Sequence, residues 1–257
     1  QKVKEIGGDT CIMEVSSHAL QLGRVWGIDY NVAVFTNLTH EHLDLHKTME
    51  NYAHAKSLLF SQLGNHSKNG KPRVAILNID EEHYEQFAYS TPCEVISYGF
   101  SEKADIRATD VQTNGATTSF TVTMNGQELP VTIPMIGLFN VYNVLAAFAV
   151  AVVNGISLER AVSRMKRFPG VGGRMQLIQQ GQPFQVIIDF AHTPDGLQNV
   201  LETLEKVKVN RVITIMGHSG GNRDSSMRPE LGEIAFEKSD YVILTADNPR
   251  HEPLEKI

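Results

Sequence analysis

Apolar positions along the chain alternate between two rhythms. Short runs rich in Val, Ile and Phe stand at 10–16 (TCIMEVS), 31–36 (NVAVFT), 73–79 (RVAILNI) and 94–98 (EVISY), and each predicts a strand. Between them, 48–63 and 81–89 predict helices. Strands alternating with helices predict a parallel α/β sheet. A β-rich insert follows at 105–133, where "SFTVTMNGQELPVTI" sets Asn125-Gly126 between two alternating runs. That pair suits a type I′ hairpin turn, in which both central residues take positive φ.

The stretch 138–154 is apolar around nearly its whole circumference and reads as a buried helix ended by Gly155, with Ser157 opening the next helix. "FPGVGGR" (168–174) breaks the pattern. Beyond it the alternation restarts: strand 184–189, helix 194–208, strand 211–216, helix 227–238, strand 240–245. Two α/β units are expected, 1–172 and 173–257, with no internal repeat and no low-complexity tract.

Composition narrows the class. Of 257 residues 42% are hydrophobic and 20% charged, ordinary for a soluble globular protein, and the net charge of −6 supplies no basic field for nucleic acid. An anionic substrate must therefore meet local arginines. Two cysteines, Cys11 and Cys93, make no disulfide framework, which favours a reduced, cytoplasmic compartment. The longest apolar run, 144–153, falls far short of the roughly 20 residues that span a bilayer. The chain starts at Gln1 and stops in "EPLEKI", a helix-like opening, so a piece of a longer protein is expected.

Candidate chemistry concentrates in "TNLTHEHLDLHKTMENYAHAKSLLF". His40 and His42 share one face if the chain stays extended. They read either as a solvated loop or, with Asp44, as a zinc hydrolase set resembling the HxHxDH motif of the metallo-β-lactamase fold. Tyr52, Lys56, Leu59 and Leu63 follow spacings of one helix face, which puts Lys56 on the buried stripe. Such a lysine either snorkels to the surface or stays buried with a lowered pKa. In the second case its neutral amine can take up carbon dioxide as a carbamate, in effect a long carboxylate suited to magnesium. Glu14, inside "CIMEVSSH", is either a solvated strand-end carboxylate or, given Met13 and Val15 beside it, a buried ligand.

"MEVSSHAL…GR", "TNLTHEHLDLH", "YAHAKSLLF", "GLFNVYNVLAA", "GGRM", "DFAHTPDGL", "GGNRD…RPELG" and "DNPR" occur in this order. Together they closely resemble the Mur ligases of peptidoglycan synthesis, the tripeptide-synthetase members above all, over essentially the whole chain. The resemblance implies most of a central ATPase domain followed by the first half of a Rossmann-like ligase domain. The family's GTNGKT-type phosphate loop is expected upstream of Gln1, and this piece alone is expected not to hydrolyse ATP. The implied reaction uses ATP and Mg2+: the terminal carboxylate of a UDP-MurNAc-dipeptide attacks the γ-phosphate, and an amino acid's amine then displaces phosphate from the acyl phosphate. By the same resemblance Lys56 (as carbamate), His42 and Glu14 hold magnesium. Ser16 and Arg24 meet the sugar–peptide. Asn140 and Asn143 face adenine, although simple helix capping would also explain them. Arg174 meets the phosphates, Asp189 the ribose, and His192 lines the nucleotide site. Thr193 and Pro194 read as an N-cap and first helical residue.

"GHSGGNRD" reads as a loop presenting Arg223, and "ADNPR" alone reads as an Asn-Pro turn. In the family DNPR selects the amino acid, and its arginine goes with meso-diaminopimelate. The physics is consistent: Arg250 and Arg223 could clamp that substrate's second carboxylate, with Asn248 and Asp247 taking the remaining polar groups. Lysine would leave Arg250 unpaired, a loss that can reach ~10⁴-fold. A lysine-adding or other Mur-type ligase, a zinc hydrolase built on His40, His42 and Asp44, and a non-catalytic Mur-like binding protein are the competing readings.

Overall fold

The structure is a computed structural model describing residues 5, 7–64, 73–208, 210–221 and 225–257. Its elements are α1 (Ser17–Gln21), β1 (Val32–Phe35), α2 (Leu43–His46), α3 (Met49–Ser61), β2 (Val74–Asn78), α4 (Tyr84–Ser90), β3 (Glu94–Gly99), β4 (Ile106–Asn114), β5 (Thr117–Met124) and β6 (Gln127–Ile133). They continue with α5 (Leu138–Val153), α6 (Leu158–Met165), β7 (Gln176–Ile178), β8 (Val186–Ile188), α7 (Pro194–Val207), β9 (Ile213–His218), α8 (Arg228–Lys238), β10 (Tyr241–Ala246) and a closing 3-10 turn, Leu254–Lys256.

Strands β1 to β6 form one sheet in sequence order. The β1–β2, β2–β3 and β3–β4 pairs are parallel, whereas β4–β5 and β5–β6 are antiparallel. The β-rich insert thus extends the parallel sheet. Every residue of β2 is buried, as an inner strand covered on both faces requires. On one face Val74, Ile76, Tyr98 and Ile106 pack with Val144 and Phe148 of α5. On the other, Ala33, Phe35, Ala75 and Leu77 pack with Tyr52 and Phe60 of α3 and Phe87 of α4. The Tyr98 hydroxyl donates to the Phe35 carbonyl at 3.0 Å inside the core. Asn125 and Gly126 turn the β5–β6 hairpin with φ of 51° and 77°, as expected.

Helix starts follow local chemistry. Thr48 caps α3 by accepting from Asn51 N, Ser157 caps α6, and Thr193 caps α7 ahead of Pro194. At the far end of α3 the Cys93 thiol donates to Leu63 O at 3.3 Å. Beyond residue 173, β9 and β10 pair in parallel beneath Leu197, Leu201, Leu231 and Ile234 of α7 and α8. Strand β8 pairs antiparallel with β7, an element of three residues too short to show a rhythm in sequence. Ile136, Met175 and Val200 join the two halves in a small shared cluster.

One expectation fails. Residues 10–16 form no strand, Ile12 is 91% exposed and Met13 45%, and Glu14 is exposed as well. The apolar run pairs with no strand among the described residues, although β1 bonds only to β2 and leaves its other edge open there. Among the described residues no helix is long and apolar enough to cross a membrane.

Phe87 is fully buried and stacks on Phe35 with ring centroids 4.0 Å apart. Phe87→Ala is expected to lower unfolding free energy by about 3–5 kcal/mol, measured by urea denaturation.

Candidate active site

Parallel strands place their chemistry beyond their carboxyl ends, and the loops after β1 and β2 meet there. The Asn78 amide donates to Thr36 O at 3.0 Å, and Leu38 N donates to Glu81 Oε2 at 3.3 Å. Helix α3 crosses the same edge and brings Lys56 Nζ to 3.5 Å from Asn37 O and 5.2 Å from the centre of the Tyr52 ring. Tyr52 and Leu63 are buried and Lys56 and Leu59 half-buried, so the expected stripe exists. Burial pushes the Lys56 amine below its ordinary pKa. The carboxylates of Glu41, Glu81 and Glu14 oppose that fall. Burial itself raises Glu81. Glu14, though exposed and off the sheet, therefore still acts on the lysine through its charge, less than Glu41 and Glu81 do.

His42 lies beside this group. Its backbone is left-handed, φ 60°, an uncommon conformation for a non-glycine residue, so it does not share an extended face with His40. Its ring meets His18 edge-on at 4.7 Å and its Nε2 lies 3.5 Å from Glu41 Oε1. His40 is exposed, and the side chain of Asp44 lies outside the described residues. Among the described residues no three His, Cys, Asp or Glu side chains form a metal-binding group, so the zinc hydrolase reading gains no support. Glu41, Glu81 and Glu14 act on Lys56 through their charge without themselves forming such a group, and a carbamate on Lys56 would add oxygen donors of the type a hard divalent cation takes.

Three neighbours escaped the sequence reading. Glu41, between His40 and His42, also reaches His192 Nε2 at 3.5 Å and so links β1's loop to the one after β8. Glu81 follows β2 directly. His46 is buried, stacks on Tyr52 and lies 2.8 Å from Ser17 Oγ, tying α1 to α3. Glu41 and His46 carried a usable signal, their place inside the histidine run.

Of the expected substrate residues, Ser16 is exposed and caps α1 by accepting from Ala19 N at 3.2 Å, and Arg24 is exposed three residues past that helix. Asn140 is buried and donates to Ile136 O at 2.8 Å, leaving Asn143 as the exposed amide of the pair. Arg174 is exposed and lies 4.9 Å over the Phe190 ring, whose edge meets His192. Asp189 accepts from Met175 N and Ala191 N, both at 2.8 Å, so it holds its own loop. Asp247 accepts from Ser219 Oγ at 2.7 Å, and Asn248 accepts through its carbonyl from Gly220 N at 2.8 Å. Arg250 is exposed at φ 52°. Arg223 lies outside the described residues.

The sheet, with charged loops gathered at its parallel strand ends, is joined to a second α/β unit, and comparisons with known proteins identify the family. Residues 1–151 match the Mur ligase middle domain and 173–257 the Mur ligase glutamate ligase domain. The chain belongs to the Mur ligase family. It is 47% identical over 251 residues to a UDP-N-acetylmuramoyl-L-alanyl-D-glutamate--2,6-diaminopimelate ligase of Bacillus cereus, covering 98% of this chain and 51% of that protein. A ligase of the same name from Listeria monocytogenes is 46% identical over 246 residues, covering 96% and 50%. A solved structure of a ligase so named superposes with a TM-score of 0.69 at 34% identity, covering 98% of this chain and 51% of that one. The chain thus spans about half the length of the relatives it matches.

The Glu41 carboxyl is held below its ordinary pKa, first by its hydrogen bond to His192, then by the charges of His42 and Lys56. The stability this gives is present above the ordinary carboxylate range and is lost as pH falls through the lowered value. His192→Ala is expected to raise the Glu41 pKa, read from its carboxyl carbon in an NMR titration.

Proposed function

We propose that this chain forms the central and following part, in units 1–172 and 173–257, of an ADP-forming carboxylate–amine ligase. The ligase adds meso-diaminopimelate to UDP-MurNAc-L-Ala-D-Glu, with ATP and Mg2+, by way of an acyl phosphate. The observation that carries the reading is the half-buried Lys56 amine beside Asn37 O at the sheet's carboxyl edge, lowered in pKa by burial against the opposing charges of Glu41, Glu81 and Glu14. The names of the 46–47% identical relatives support the substrate class. A reduced, cytoplasmic setting fits two cysteines that are both free thiols.

The residues divide the work. A neutral Lys56 amine attacks carbon dioxide, forms an N–C bond and loses a proton, which leaves a carbamate anion. That anion, Glu14 and His42 would hold magnesium. When bound, the metal offsets charge on the phosphoryl group in transfer. Ser16 and Arg24 would meet the sugar–peptide from either end of α1, whose His18 touches His42. Asn143 offers a donor and an acceptor to adenine, beside the buried Asn140. Arg174 offers a fork to phosphate, and Asp189 and His192 shape the loop that reaches Glu41. Arg250 and Arg223 would bind the second carboxylate of diaminopimelate, with Asp247 and Asn248 near its ammonium.

ADP release by the natural full-length protein, given UDP-MurNAc-dipeptide and ATP, is expected to favour diaminopimelate over lysine by on the order of 10⁴-fold. Equal rates would overturn the substrate assignment. Lys56→Ala should abolish turnover, with partial return on adding short carboxylates; undiminished activity would remove the carbamate.

A further inference from the structure

The geometry points to Arg228 and Glu252 as a positioning pair that shapes the amino-acid pocket without touching the substrate. This rests on the ligase reading above and adds to it residues that the DNPR signature does not include. Arg228 opens α8, and its guanidinium forks onto Glu252, Nη1 to Oε1 at 2.7 Å and Nη2 to Oε2 at 2.9 Å. Nη1 also donates to Lys256 O at 2.9 Å, Nε to His218 Nδ1 at 3.3 Å, and Nη2 lies 3.5 Å from Ser219 O. A guanidinium has five N–H donors, and these contacts use one at Nε and two at each Nη. None remains for a substrate carboxylate.

Arg228 therefore differs in kind from Arg250. Its side chain is 12% exposed and that of Glu252 21%. The pair ties together the loop after β9, the turn after β10 and the 3-10 turn. Glu252 Oε2 also accepts from Gly221 N at 3.0 Å, and Gly221 packs against the Arg250 stem, where a β-carbon would come within 3.0 Å of Cδ. At Gly220 a β-carbon would collide with Pro249 O. The two loops are thus packed backbone to backbone, and Arg250 takes its left-handed φ in the turn between Asn248 and Glu252. The hydrogen bonds from Arg228, then that from Gly221 N and the Arg228 charge, hold the Glu252 carboxyl down to about 2, so the clamp stays ionised at neutral pH.

The test uses the natural full-length protein with Glu252→Gln, Glu252→Asp and Arg228→Lys. KM for diaminopimelate should rise roughly tenfold to a hundredfold in Glu252→Gln and Arg228→Lys, since a displacement of about 1 Å in a positioning group has effects of that size. The kcat, and KM for ATP and the UDP-linked dipeptide, should stay near wild type. Glu252→Asp should recover part of the loss, whereas Arg228→Lys keeps the charge and loses the fork. Amide hydrogen exchange at Gly220 and Gly221 should quicken in Glu252→Gln. Unchanged KM and exchange would overturn the inference, as would a loss confined to kcat or to thermal stability. A wild type that releases no ADP with diaminopimelate would instead remove the ligase reading and, with it, the pocket. Variants that leave a diaminopimelate-using enzyme unaltered remove the clamp alone.

Discussion

An amine kept half out of water needs nearby anions or must give up its proton, and Lys56 is caught between the two. Helix α3 fixes the conflict. Its Tyr52–Leu63 stripe packs on the sheet, and the same packing carries the lysine over the carboxyl edge of β1, toward Asn37 O. Burial drives the proton off while Glu41, Glu81 and Glu14 favour its retention. The residues linked through Asn78, Leu38 and His46 exist, in effect, to hold this contest in one place.

The left-handed backbone follows the same logic. His42 and Arg250 both take positive φ, and so does Met175 beside Arg174. Each such residue costs on the order of 1 kcal/mol and persists only where its surroundings over-determine it. The surroundings are visible: the Glu41 contact for His42, the Asp189 carboxylate on Met175 N, and the Gly220–Gly221 packing for Arg250.

Much of the fold was legible because its signals are local. Val74–Asn78 reads as an inner strand from an unbroken apolar run, the β5–β6 hairpin from Asn125-Gly126, and α7 from Thr193-Pro194. The strand expected at 10–16 was wrong although β1 leaves an edge open, because an apolar run becomes a strand only where its backbone pairs, and these residues stay exposed instead. The two-strand pairing of β7 was invisible for want of length. In the site, Lys56 was legible from helical spacing alone. The exposure of Glu14, the burial of Asn140 and the five engaged donors of Arg228 were not, since each depends on residues distant in sequence. Glu41's bond to His192 spans about 150 positions and leaves no trace in any short motif.

The thiols described earlier make a natural pair of clocks. Cys11 is open to solvent, whereas Cys93 is half-buried, its thiol hydrogen-bonded to Leu63 in the turn just past the helix that carries Lys56. An electrophile reaches the first freely, and the second more slowly, faster as that turn frays. The slower label thus times the loosening of the lysine's own support, with the faster one as its internal standard.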